Sequence, residues 1–116
     1  MDKTKTIKFV ESKWENWYVK GLSDFISVPN LSPNYDADFL SNGKIEQAMK
    51  LVDDYINELN IKGISRKVYQ PQGSVPMVVY VIEPSPGVNT NVMLYGHLDK
   101  QPWMEGWDEG LAPTLP

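Results

Sequence analysis

The chain has 116 residues, with nine Pro, eight Gly, one His and no Cys, and a formal net charge of −4. That length fits one ordinary domain of about 100–150 residues, and a hydrophobic fraction of 41% with four Trp favours a packed core over disorder. The composition excludes disulfides, thiolate zinc sites, cysteine nucleophiles and the two-histidine His-Glu-x-x-His zinc peptidases, and its acidic balance argues against a nucleic-acid partner.

The first predicted element is a helix over residues 10–28. Trp14, Trp17, Tyr18, Leu22, Phe25 and Ile26 recur at spacings of three and four, which places them on one face as core residues. Gly21 weakens this helix, and Pro29 stops it, because a residue before proline avoids the α region. A loop follows over residues 30–41, carrying Pro33, Asp36 and Asp38. Ser41 or Asn42 is the predicted N-cap of a second helix over residues 44–60. Its apolar stripe is Ile45, Ala48, Met49, Val52, Tyr55, Ile56 and Leu59, and Asp53 and Asp54 fall on the water-facing side.

The pattern then changes to strands. Residues 64–69 read as one strand and residues 77–83, β-branched and aromatic, as another, with a turn at Gln70-Pro71-Gln72-Gly73 between them. Pro84-Ser85-Pro86-Gly87 is a second turn. Residues 91–95 read as a third strand, short and apolar, as a buried central strand would be. The order is α-α-β-β-β. Residues 100–116 lose periodicity and carry Trp103 and Trp107, which border a pocket or, more simply, anchor their own loop. Long structureless segments are uncommon in compact domains, so this one suggests that the chain is part of a longer protein.

No apolar segment follows the basic N-terminus, so a secretory signal is not expected. The longest apolar run, residues 77–82, is far short of the about 18–20 residues needed to span a bilayer. The expected setting is therefore the cytoplasm, with no membrane partner.

The residues with chemistry to offer are His97 and Asp99, directly after the apolar run 91–95. In open α/β sheets, ligands bind beyond the carboxyl ends of strands. Residues two apart on extended backbone point to the same side, which allows the carboxylate to meet the imidazole. A neutral imidazole is a good metal ligand, and a carboxylate on its second nitrogen fixes its tautomer and orientation. A lone His near a strand end also serves as a hydrogen-bonded structural residue, and spacing alone leaves both readings open.

The stretch Val92-Met93-Leu94-Tyr95-Gly96-His97-Leu98-Asp99-Lys100-Gln101-Pro102 resembles the first metal motif of the co-catalytic zinc peptidases. That family includes carnosinase and other cytosolic dipeptidases, glutamate carboxypeptidase, aminoacylase and succinyl-diaminopimelate desuccinylase. The form Tyr-Gly-His-Leu-Asp-x-Gln-Pro is similar to the dipeptidase branch, as is the following Gly106-Trp107-Asp108-Glu109-Gly110-Leu111-Ala112-Pro113. Upstream, Leu22-Ser23-Asp24-Phe25-Ile26-Ser27-Val28-Pro29 resembles the family's first helix and its proline stop.

The resemblance implies an α/β fold, with residues 1–116 forming the N-terminal part of a three-layer α/β/α catalytic domain. The lid or dimerisation domain, through which such enzymes form homodimers, would lie outside it. It implies that His97 is a metal ligand and that Asp99, matching the family's active-site aspartate, holds it. The complete site carries two zinc ions, or manganese or cobalt in their place, and acts on a dipeptide or similar small peptide. The further ligands and the general-base glutamate come later in such enzymes. These 116 residues are therefore expected to be inactive alone. The alternative is a non-catalytic interaction module that retains part of the peptidase fold.

Overall fold

A carboxylate at the second position starts the first helix well ahead of its apolar periodicity. In the computed structural model, which describes residues 2–116, α1 spans Lys3–Lys13. Asp2 caps it, one side-chain oxygen accepting from the Lys5 amide at 3.2 Å. A π-helical turn over Trp14–Val19 follows, and α2 continues over Lys20–Ile26. Within the π turn, Trp17 and Tyr18 meet edge to face with ring centroids 4.8 Å apart. The wider turn breaks the 3.6-residue period behind the predicted core face. Trp14 and Leu22 are accordingly 53% and 59% exposed rather than buried. The helix ends at Ser27, whose amide bonds to the Ser23 carbonyl at 3.1 Å, and Pro29 follows as expected.

The chain divides into two compact units, residues 2–28 with 103–116, and Pro29–Pro102. The second unit carries the third helix and the sheet. Helix α3 spans Lys44–Glu58. Its N-cap is Gly43, at φ 71°, one position past Asn42 and two past Ser41, the predicted caps. That left-handed geometry favours glycine, and Asn42 still contributes, its side-chain oxygen accepting from the Lys44 amide at 3.0 Å. Ile45, Ala48 and Met49 are buried, so the predicted stripe is the face that packs.

Strands β1 (Ile64–Tyr69) and β2 (Met77–Ile82) pair antiparallel, with Arg66 opposite Tyr80 and Val68 opposite Val78. The turn between them is closed by the Ser74 amide donating to the Pro71 carbonyl at 3.1 Å, with Gly73 at φ 74°. Gly73 is the third residue of this turn, where type II geometry requires a positive φ. A second turn is closed by the Val88 amide on the Ser85 carbonyl at 3.1 Å.

The predicted third strand over residues 91–95 does not form. The sheet has two strands, in the order β1-β2. Val92, Met93, Leu94 and Tyr95 are 83%, 90%, 91% and 80% exposed, with no strand alongside. An apolar run needs a ladder partner to become a strand, because its backbone donors and acceptors must be paired. The result is a mixed α/β arrangement with an antiparallel hairpin. Among the described residues, no helix is long and apolar enough to cross a membrane.

Candidate metal-ligand site

The segment 98–100 is held against residues 30–32 by hydrogen bonds. The Lys100 amide donates to the Asn30 carbonyl at 2.9 Å, and the Ser32 amide donates to the Lys100 carbonyl at 2.8 Å. Leu31 and Lys100 form the corresponding parallel bridge. The Asn30 side chain adds a third bond, its Nδ2 donating to the Leu98 carbonyl at 2.6 Å. Asn30 is fully buried and Ser32 nearly so. Burial also lowers the pKa of the Lys100 ammonium below its ordinary value.

His97 stands immediately before this clamp and Asp99 lies within it, and the structure brings the two predicted site residues together. His97 Nδ1 lies 3.1 Å from Asp99 Oδ1. A carboxylate only accepts, so in the neutral ring this contact favours the tautomer with the proton on Nδ1 and the lone pair on Nε2. The imidazole side chain is 71% exposed and the Asp99 side chain 27%. Tyr95 approaches the free edge of the ring, with Oη 3.4 Å from Nε2 and the two rings near perpendicular at 5.4 Å. A phenol there donates to the same lone pair that a metal would use. The signal for Tyr95 was its spacing of two from His97, the spacing that links His97 to Asp99.

This arrangement fits one arm of a metal site: an exposed imidazole whose Nδ1 is held by a carboxylate and whose Nε2 has only the long Tyr95 contact to displace. Among the described residues, no three His, Cys, Asp or Glu side chains gather closely enough to hold a metal ion together. Catalytic zinc sites take about three protein ligands. His97 and Asp99 would therefore account for no more than one ligand and its orienting group.

The remaining carboxylates divide. Asp36 is tied into its own loop, accepting from the Asp38 amide at 3.0 Å and from Asn42 Nδ2 at 2.6 Å. Asp54 pairs with Lys50 on the surface. Asp53 departs from its predicted solvent-facing role. Its Oδ1 accepts from Arg66 Nε at 2.6 Å and from the Tyr80 hydroxyl. Burial works to raise the Asp53 pKa, but the bonds from Arg66 and Tyr80, with the charges of Arg66 and Lys50, outweigh it and hold the carboxyl below its usual value. Burial and the bond to Asp53 push the Tyr80 phenol up to about 12. In the other unit, Trp107 Nε1 donates to the Met104 carbonyl at 2.8 Å, which anchors its own loop.

No family model matches the sequence, and no curated protein matches it.

Proposed function

We propose that this chain is the N-terminal part of a metal-dependent peptidase acting on dipeptides or similar small peptides, in which His97 is a metal ligand and Asp99 orients it. The observation that supports this most is the His97–Asp99 contact at 3.1 Å on a largely exposed imidazole, whose Nε2 meets only the Tyr95 hydroxyl at 3.4 Å. The motif around it, Tyr95-Gly96-His97-Leu98-Asp99-Lys100-Gln101-Pro102, adds the resemblance to the dipeptidase branch of the co-catalytic zinc enzymes.

In this reading His97 would hold one zinc through Nε2, and manganese or cobalt could replace it. Bound zinc lowers the pKa of a coordinated water and polarises a scissile carbonyl. This chain's own contribution is narrower. Asp99 keeps the Nδ1 proton and so keeps Nε2 available as a donor, while the clamp at residues 30–32 keeps the backbone beside the pair in place. In such an enzyme the further ligands, the general base and the rest of a three-layer α/β/α domain would have to be supplied by residues other than these, and one ligand with its orienting group would not suffice for activity.

The test is zinc titration of the 116-residue chain by calorimetry, alongside His97→Ala. The expected result is weak binding at one site, lost in the variant. Equal zinc affinity in the variant would sink the reading.

A further inference from the structure

We propose that Asn30 is a positioning residue for the His97–Asp99 pair, its buried carboxamide setting the direction in which Asp99 reaches the imidazole. The bond from Asn30 Nδ2 lands on the Leu98 carbonyl, which belongs to the peptide plane between Leu98 and Asp99. Four backbone rotations separate the Cα atoms of His97 and Asp99. The orientation of that plane governs the last two of them, ψ of Leu98 and φ of Asp99. Fixing the carbonyl therefore fixes where the Asp99 side chain points.

Asn30 is suited to this task by burial. Its exposure is 0%, while His97 is largely in water. A hydrogen bond shielded from solvent meets no competing water, whereas the exposed His97–Asp99 contact does. The same residue also accepts the Lys100 amide on its backbone oxygen. Asn30 thus grips the chain on both sides of Asp99, by its side chain at Leu98 and by its main chain at Lys100. Its Oδ1 is buried without a hydrogen-bond partner. Keeping a fully buried carboxamide with one end unpaired costs stability, and an apolar residue at position 30 would avoid that cost. The Nδ2 bond to Leu98 is what the carboxamide supplies in return.

The purpose of this device rests on the metal reading of His97, but its geometry is measurable without metal. His97 is the sole imidazole, so its two ring nitrogens give one unambiguous pair of ¹⁵N signals. At one fixed pH where the ring is neutral, those shifts report which nitrogen carries the proton. The experiment compares the metal-free 116-residue chain with Asn30→Ala, Asn30→Leu and Asp99→Ala.

The wild type is expected to favour the Nδ1–H form. Both Asn30 variants are expected to move at least half of the way to the balance shown by Asp99→Ala, and to bind zinc up to about 10-fold more weakly. A wild-type tautomer balance in Asn30→Ala, with the amide signals of α3 and the hairpin unchanged, would overturn the proposal. If both variants fail to fold, the wild type decides alone: a through-bond scalar coupling between Asn30 Nδ2 and the Leu98 carbonyl carbon supports the proposal, and its absence overturns it. A tautomer shift in the Asn30 variants, with zinc affinity that His97→Ala leaves unchanged, would retain the positioning role and reject the metal reading.

Discussion

Arg66 and Tyr80 stand opposite each other in the hairpin ladder and donate to the same oxygen of Asp53 on α3. Direct cross-strand partners share a face of the sheet, so one carboxylate serves both. This joins the helix to both strands at once. Removing the hydroxyl in Tyr80→Phe should cost about 1 kcal/mol of stability. Asp53→Asn should cost more, about 1–2 kcal/mol, because it weakens both bonds and removes the charge. Urea unfolding of the two variants checks the order. A neutral Asp53→Asn would show that the tie contributes nothing.

The same cluster sets a pH dependence at both ends. Tyr80 has its pKa raised from 10.0 to about 12 in the folded chain. Its contribution is fully present below pH 10 and is lost as pH rises from there toward 12. Asp53 is lowered from 3.8, so its contribution is present above that value and is lost as pH falls through the lower folded one. Thermal melts across pH should show both limbs. Tyr80→Phe should flatten the alkaline limb while leaving the decline at low pH.

Gly73 holds the hairpin turn at φ 74°, and a Cβ there would meet nothing within 4 Å. The cost of Gly73→Ala is therefore backbone strain alone, about 1–2 kcal/mol for an L-residue in the left-handed region. Thermal melting should register it. A melting temperature equal to that of the wild type would mean that the turn relaxes to another type.

Asp99→Ala leaves the imidazole in place but releases its Nδ1. Zinc affinity in the 116-residue chain should fall by about 10–100-fold, the usual effect of losing a group that orients a ligand. Calorimetry measures this directly. Undiminished affinity would remove Asp99 from the site while leaving His97 in it.

The hairpin and α3 were legible because their signals are local. Residues 64–69 match β1, β2 ends one residue short of its predicted range, and α3 buries Ile45, Ala48 and Met49 from the predicted stripe. The early start of the first helix was written in Asp2, an N-cap ahead of residues too polar to show periodicity. The failed strand at residues 91–95 was not legible, because an apolar run states a preference for burial and says nothing about which strand would cover it. His97 and Asp99 were found because they lie two residues apart. Asn30 was missed because its partner lies 68 positions away, and one Asn after a proline looks like any other loop residue. Asp53 was missed for a related reason: its α3 position is on the polar side, and its partners come from strands that follow.

The bond from Asn30 to Leu98 closes a ring of 68 positions that contains α3 and the whole hairpin. Contacts so distant along the chain carry a large closure entropy and form late, after the local elements have condensed. The peptide plane that aims Asp99 is therefore among the last parts of the molecule to take its final orientation. A chain with a formed helix and hairpin still lacks an aligned imidazole, and on the proposed reading zinc binding would become a measure of finished folding.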